Sequence, residues 1–207
     1  MFRLSYFTGG IAQTNGWLLE GDAGVIAFDA PEGFTDWLAA RKVRISALLL
    51  THQHFDHVQD AARLKREHGC LIYAFAGHSR ALTLEDLFGA VTGMGLSVEP
   101  YEVDELLEGR EALGVAGMAW QLLHVPGHSP DSLCFYSEAE GLLFGGDVLF
   151  ADGIGRTDFP GGGTDLLLSG IASKLLPLPD AVRVFPGHGP ETTIGIERAE
   201  NPYLQDL

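Results

Sequence analysis

The pattern of apolar and polar positions divides the chain into short strand-like segments and amphipathic helices. In the first third, alternating or apolar stretches are separated by Gly, Asn and Asp, which is typical of strands joined by tight turns. A helix is predicted from about Phe34 to Lys42, where apolar side chains recur at helical spacing. The predicted strands of this part are 2–7, 16–19, 24–28 and 47–50.

The rest of the chain continues this mixture of strands and helices. A helix is predicted from near Asp56, whose carboxylate can cap free backbone N–H groups, to just before Gly69. A capping signal at Thr83–Asp86 predicts another helix after it, although 77–117 is the least predictable stretch. Strands in both halves with helices between them predict an α/β fold. The remaining predicted strands are 71–75, 118–125, 133–137, 141–145 and 182–185, and the remaining helices are 165–176 and 194–199.

Length and charge narrow the class of protein. A chain of 207 residues with 46% hydrophobic residues can bury a full core, and no segment is long or polar enough to act as a linker, so a single domain over 1–207 is predicted. The formal net charge is −15. This excess of acidic groups opposes binding to nucleic acid and to anionic membranes. We therefore expect neither as a partner, and the oligomeric state is not indicated.

Cysteine usage and the N-terminal segment bear on the compartment. Cys70 and Cys134 are far apart in sequence, so a disulfide framework is not indicated and a reducing compartment is expected. Cys134 lies in an apolar run and is interpreted as a small buried hydrophobe. Neither a secretory signal nor an apolar stretch of about 20 residues is evident, which favours a soluble cytoplasmic protein.

The most informative segment follows the apolar run 47–50 directly. His52, His54, Asp56 and His57 place three imidazoles and a carboxylate within six positions. If buried, each of these groups would need its own polar partner, and if exposed they would be an unusual way to keep a protein soluble. One divalent cation, or a pair of them, would satisfy all four side chains. The segment therefore predicts a metal site.

Three further residues with metal-binding side chains follow predicted strands. They are His128 and His188, each in a Pro-Gly-His sequence, and Asp147 in Gly-Gly-Asp. Proline ends strand pairing and glycine lets the backbone turn, which leaves the imidazole at the strand end. Because clefts of α/β proteins gather at the carboxyl ends of strands, we expect these residues to converge with the first cluster.

The seven residues separate into two ligand sets. On an extended segment His52 and His54 point to one side and can bind one cation, whereas residues beyond the turn can face a second cation. Mixed imidazole and carboxylate ligands suit zinc first, with iron or manganese as alternatives. The predicted ligands are His52, His54 and His128 for the first ion and Asp56, His57 and His188 for the second, with Asp147 bridging both.

The T-H-x-H-x-D-H sequence at 51–57 resembles the signature of the metallo-β-lactamase superfamily. Four further motifs resemble the short, single-domain glyoxalase II-like hydrolases, which are hydroxyacylglutathione hydrolase-like enzymes. The resemblance implies an αββα sandwich with a dinuclear metal site at one edge. The motifs lie at 126–130, 146–150, 155–160 and 186–190.

The activity that this resemblance implies is hydrolysis of a small acyl thioester, with S-2-hydroxyacylglutathione giving a hydroxy acid and glutathione. Two cations would lower the pKa of a shared water toward ~7 and supply a metal-bound hydroxide, while Asp56 helps to orient it as a catalytic residue. Arg156 lies in a glycine-rich loop. Its guanidinium is expected either to bind a substrate carboxylate or to form an ion pair with Asp152 or Asp158.

Departures from the family pattern leave other functions open. Only 19 residues follow His188, so we expect the C-terminal helical domain that helps two-domain glyoxalase II enzymes to hold glutathione to be absent. The chain also resembles persulfide dioxygenases at 155–159, which implies a single iron at His52, His128 and Asp147. Lactone or β-lactam hydrolysis and a non-catalytic metal-binding role are the remaining alternatives.

Overall fold

The computed structural model describes residues 2–93 and 95–205. The chain separates into two compact units, residues 1–108 and 109–207. Both combine a β-sheet with helices, so the predicted α/β class is confirmed. The single domain over 1–207 stays a prediction. In the described part of the chain, every helix is too short or too polar to span a lipid bilayer.

The first unit contains a mixed sheet. Over its described residues the strands lie in the order β1-β2-β3-β4-β5-β6, antiparallel from β1 to β3 and parallel from β3 to β6. The strands are β1 (Phe2–Gly9), β2 (Thr14–Gly21), β3 (Gly24–Phe28), β4 (Ala47–Leu49), β5 (Leu71–Ala74) and β6 (Glu105–Leu106). The helices are α1 (Phe34–Ala40), α2 (Phe55–Val58), α3 (Ala61–His68), α4 (Arg80–Thr83) and α5 (Glu85–Thr92).

The second unit contains a second sheet. Over residues 109–205 the strand order is β14-β13-β10-β9-β8-β7, with β10 and β13 parallel and the other pairs antiparallel. The strands are β7 (Ala112–Val115), β8 (Met118–His124), β9 (Leu133–Ser137), β10 (Leu142–Gly146), β11 (Leu149–Phe150), β12 (Gly153–Ile154), β13 (Arg183–Pro186) and β14 (Thr192–Thr193). β11 and β12 pair with each other, antiparallel, outside this six-stranded order. The helices are α6 (Thr164–Gly170), which continues into a π-helical turn (Ile171–Leu175), and α7 (Ile194–Glu200).

The apolar pattern of the strands matches their positions in the sheets. β4 and β10 are buried at every residue, as expected for interior strands with neighbours on both sides. On β8, buried Trp120 and Leu122 alternate with exposed Ala119 and Gln121, so this strand buries one face. Each unit has its own apolar core, with Phe34, Leu48 and Leu64 fully buried in the first and Val184, Leu143 and Leu167 in the second.

The prediction of a single helix from near Asp56 to just before Gly69 is wrong, because the chain forms α2 and α3 with a break between them. In a continuous helix the Asp60 N–H would donate to Asp56 O, and His57 O would accept from the residue four positions later. Ala30 takes both groups instead: Asp60 N donates to Ala30 O at 2.9 Å, and Ala30 N donates to His57 O at 2.7 Å. Two tertiary backbone bonds therefore end α2 after one turn.

Two capping expectations also differ from the structure. Asp56 does not cap its helix, because the N-cap of α2 is His54 and makes no side-chain capping bond. The helix predicted after the capping signal at Thr83–Asp86 is present as α5. Its N-cap is Leu84, which has φ 54° and makes no side-chain capping bond. The elements that the sequence did not predict are short ones: β6, β7, β11, β12, β14 and α4. Segments of two to four residues are too short to show a period.

Candidate metal centre

The first group of candidate ligands lies at the carboxyl end of β4. His52 and His54 are buried, and their ring centroids lie 4.5 Å apart in an edge-to-face arrangement. The His57 ring, on α2, has its centroid 4.1 Å from that of His52. His57 Nε2 lies 3.5 Å from Asp56 Oδ2. The structure thus brings the four residues of this segment together as predicted.

A buried carboxylate controls the orientation of two of these imidazoles. Asp29 Oδ2 lies 2.8 Å from His57 Nδ1 and accepts from the Thr51 hydroxyl at 2.7 Å. Because an ionised carboxylate can only accept, His57 Nδ1 carries the proton and Nε2 is left with its lone pair. The Thr51 hydroxyl donates its single hydrogen bond to Asp29, so its oxygen accepts from His52 Nδ1 at 3.2 Å. His52 Nε2 is thereby left as a possible metal ligand too.

From the sequence alone Asp29 is interpreted as either a partner of the metal site or a turn residue, with the turn role favoured, and the structure places it against the candidate ligand His57. Asp29 follows β3, takes φ 59°, and also accepts from Thr51 N at 2.8 Å. Because β3 and β4 are parallel neighbours, their carboxyl ends meet at one edge of the sheet. An acidic residue directly after a strand that neighbours the histidine-bearing strand is the signal that could have identified it.

The second group of candidate ligands lies within the second unit. Asp147 Oδ2 is 3.5 Å from His128 Nε2 and 3.3 Å from His188 Nε2, so one carboxylate oxygen faces both imidazoles. His128 Nδ1 lies 2.8 Å from the backbone oxygen of Arg156. A carbonyl oxygen can only accept, so His128 carries its proton on Nδ1 and presents Nε2. The structure therefore brings these three predicted residues together.

Backbone geometry explains how the second group forms. Asp147 follows β10 and His188 follows the parallel strand β13, and Gly187 N donates to Gly146 O at 2.9 Å beyond the paired residues. Gly127, before His128, has φ 133°, and a Cβ there would lie 2.5 Å from Leu167 N. Only glycine fits such a position. The role predicted for glycine in the first Pro-Gly-His sequence is confirmed.

The Arg156 side chain is exposed and forms an ion pair. Its Nε and Nη2 atoms donate to Asp158 at 2.7 and 2.6 Å, and its guanidinium carbon lies 4.2 Å from the centre of the Phe159 ring. The hydrogen bonds from Arg156 lower the pKa of Asp158 to about 2. The ion pair predicted as one of two alternatives is thus present, whereas binding of a substrate carboxylate stays a prediction.

Cys134 and two serines of the second unit, Ser129 and Ser132, lie in structural environments. Burial raises the pKa of the Cys134 thiol to about 12, which makes it a poor nucleophile. Ser129 Oγ donates to Asp131 Oδ1 at 2.5 Å, and Ser132 Oγ accepts from Ser129 N at 3.3 Å. Both serines therefore form hydrogen bonds within the loop that follows β8.

The donor set of each group fits a divalent metal ion. The groups offer imidazole nitrogens and carboxylate oxygens, which are ligands of zinc, iron and manganese. At least one imidazole of each group is held with Nδ1 on an oxygen acceptor, as metal-ligating histidines commonly are. The structure thus contains His/Asp clusters of metal-binding character, and the donor types do not decide which metal binds.

Comparison with known proteins defines the family. The family model described as the metallo-beta-lactamase superfamily matches residues 9–188. Since this is most of the chain, the chain belongs to the metallo-beta-lactamase superfamily and has its α/β fold. Members of this superfamily of metallo-hydrolases are enzymes, so the predicted enzyme class is confirmed at that level.

Similar proteins include both hydrolases and metal-bound structures. The chain is 40% identical over 168 residues to hydroxyacylglutathione hydrolase GloC of Haemophilus influenzae, covering 78% of this chain and 77% of the relative. It is 36% identical to the BLEG-1 B3 metallo-beta-lactamase, with a TM-score of 0.88 and coverage of 98% and 100%. It is 35% identical to TTHA1623, solved in a di-iron-bound form, with a TM-score of 0.82 and coverage of 97% and 100%.

Proposed function

We propose that this protein is a dinuclear metal-dependent hydrolase of small acyl thioesters, of the glyoxalase II type. Its substrate class is S-2-hydroxyacylglutathione or a similar thioester, and its products are a hydroxy acid and a thiol. The observation that carries the proposal is the common orientation of the imidazoles. His57 and His128 each hold Nδ1 on an oxygen acceptor and so keep Nε2 for a metal.

The proposed ligands are the seven residues predicted from the sequence. Zinc is the first choice of metal, with iron or manganese as alternatives, and the di-iron form of TTHA1623 supports a pair of ions. In this proposal His52, His54 and His128 hold the first ion; Asp56, His57 and His188 hold the second; and Asp147 bridges the two.

The chain's own residues have separate tasks in this reaction. The bound ions would supply polarisation of the carbonyl and a water whose pKa is lowered to about 7. The Asp56 carboxylate would accept a hydrogen bond from the attacking water and so orient it. A thiolate is a stable leaving group, which means that no side chain has to act as a strong general acid. Arg156 is proposed to exchange its ion pair with Asp158 for a substrate carboxylate.

The similarity to GloC favours a thioester, and the similarity to BLEG-1 provides a second candidate, hydrolysis of a β-lactam. Both reactions use the same pair of ions, so they differ only in the substrate. A third reaction, oxidation of a persulfide at a single iron, needs a different metal content. Metal analysis and substrate assays together separate the three functions.

The test begins with metal analysis of protein purified without added metal or chelator. We expect about two ions per chain and release of thiol from an S-2-hydroxyacylglutathione in preference to opening of a β-lactam. His188→Ala should reduce hydrolysis at least about 100-fold, because removal of a metal ligand should lower activity at least as much as removal of a residue that only orients a ligand. His68→Ala is the matched control, since the His68 imidazole is not a proposed ligand and accepts a hydrogen bond from Ile45 N.

Other outcomes overturn the proposal. About one iron per chain with oxygen uptake on a persulfide would establish a dioxygenase. Faster turnover of a β-lactam than of any thioester would establish a lactamase. Two ions without hydrolysis of either substrate would favour a non-catalytic metal-binding role.

A further inference from the structure

Thr14 connects the hairpin of the first unit to a candidate metal ligand. It is the first residue of β2, its side chain is fully buried, and its hydroxyl donates to Asp56 Oδ2 at 2.5 Å. The two residues are 42 positions apart in sequence. Because a carboxylate can only accept, the Thr14 hydroxyl proton is committed to Asp56. This is a short, charge-assisted hydrogen bond.

The hairpin turn fixes where Thr14 lies. Gln13 has φ 57°, its N–H donates to Gly10 O at 3.3 Å, and its side-chain amide donates to the same oxygen at 3.0 Å. Thr14 itself pairs with Gly9 at the last position of the β1–β2 ladder. The hydroxyl is therefore held by a closed turn and a strand pair before it meets Asp56.

Asp56 lies on helix α2, beside a candidate ligand atom of His57. Helix α2 has only four residues, and its N-cap makes no side-chain hydrogen bond. The oxygen that accepts from Thr14 is the one that lies 3.5 Å from His57 Nε2, and this nitrogen carries the ring's lone pair because Nδ1 donates to Asp29. The Thr14 hydrogen bond thus fixes Asp56 Oδ2 beside a ligand atom of His57.

We propose that Thr14 is a positioning residue for the second metal ion, acting through the carboxylate of Asp56. The inference rests on the proposed dinuclear function. Partners that orient metal ligands typically contribute 10–100-fold to metal affinity. Loss of the Thr14 hydroxyl should weaken binding of the second ion by about this factor. The first ion, for which Asp56 is not a proposed ligand, should keep its affinity.

The test compares three variants by titration of metal-free protein with Co²⁺, followed by visible absorption, and with Zn²⁺ in competition with a chelating dye. Thr14→Val has the same shape as threonine but lacks the hydroxyl, and Thr14→Ser keeps the hydroxyl. Thr8→Val is the matched control, because it removes a different hydroxyl bond of this hairpin, from Thr8 Oγ1 to Asn15 Oδ1 at 2.8 Å. If Thr14→Val does not fold, Thr14→Ala replaces it.

We expect Thr14→Val to bind the second ion about 10–100-fold more weakly than wild type and to change the Co²⁺ absorption of that site. Thr14→Ser should restore binding, and Thr8→Val should leave both affinities unchanged. Wild-type affinity in Thr14→Val, or equal losses in the serine and valine variants, would overturn the role of Thr14. Uptake of a single ion by the wild-type protein would instead overturn the dinuclear function on which the inference rests.

Discussion

The Asp29 carboxylate accepts a hydrogen bond from His57 Nδ1 at 2.8 Å, and both side chains are buried. Asp29 also accepts from Thr51, whose hydroxyl in turn accepts from His52 Nδ1. One carboxylate therefore determines the tautomer of two candidate ligands that differ in their proposed metal ion. Residues in such positions tune the metal although they do not touch it.

Replacement of Asp29 by Asn should weaken metal binding. An amide can turn its NH₂ group toward His57 Nδ1, which favours the other tautomer and takes the lone pair away from Nε2. We expect a loss of about 10–100-fold in the affinity for added Zn²⁺, measured by competition with a chelating dye. Asp104→Asn is the control, because Asp104 accepts from Ile72 N and Lys65 and from no candidate ligand in the described hydrogen bonds. Equal affinities in the two variants would contradict the assigned role of Asp29.

Alanine at Gly127 should destabilise the second unit. The position has φ 133°, and a Cβ would lie 2.5 Å from Leu167 N, so strain and a backbone clash combine. We expect the free energy of unfolding to fall by about 3 kcal/mol, measured by urea denaturation. Gly141→Ala is the control, because Gly141 has φ 63° with open space around it and should cost only about 1 kcal/mol. Similar losses in both variants would show that the contact with Leu167 is unimportant.

Removal of the Arg156 guanidinium should affect the KM for a charged thioester. Arg156→Ala is expected to raise the KM for a glutathione thioester about 10-fold, because a hydrogen bond to a charged group typically contributes about 1.5 kcal/mol or more. The kcat should change little. A neutral small thioester is the control substrate, and its KM should not respond. An unchanged KM for the charged substrate would contradict a role of Arg156 in substrate binding and favour the structural contacts with Asp158 and Phe159.

The two thiols should be inert in the folded protein. Burial raises the pKa of Cys134 to about 12 and that of Cys70 to about 11, from an ordinary value of 9.0. At pH 8 both groups stay protonated, so a disulfide reagent should react with neither until the protein is unfolded. Rapid labelling of either thiol at pH 8 in the native protein would contradict this burial.

The same shifts predict a loss of stability at alkaline pH. The folded state binds the thiol protons more tightly than the unfolded state does, because both folded pKa values are raised. The contribution to stability is therefore complete below about pH 9 and decreases as the pH rises toward 11–12. Urea denaturation of the wild type and of Cys134→Ala across this range measures the effect, and the variant should show the weaker pH dependence.

Most of the long elements could be predicted from periodicity, including β3 with its bounds and the interior strand β10. The break between α2 and α3 could not, because it arises from two backbone bonds to Ala30, which lies about 30 residues earlier. Nothing in the local sequence of the helix marks it. The short strands β11, β12 and β14 were missed because two residues carry no period.

The amino-acid sequence by itself defined the family, the α/β class and the seven candidate ligands. A metal ligand must be one of a few residue types, and these types recur here directly after predicted strands. Each group of ligands belongs to a short local motif, so the residue types that it supplies can be recognised from the sequence of that motif.

Only the tertiary structure decided which atoms those ligands present. The partners of His57, His128 and Asp56 are Asp29, the Arg156 carbonyl and Thr14, each 28 or 42 residues away in sequence. These pairs form because parallel strands align their carboxyl ends, a glycine turns the backbone, and a hairpin closes. Hydrogen bonds of this kind depend on distance in space, which no local pattern of residues encodes.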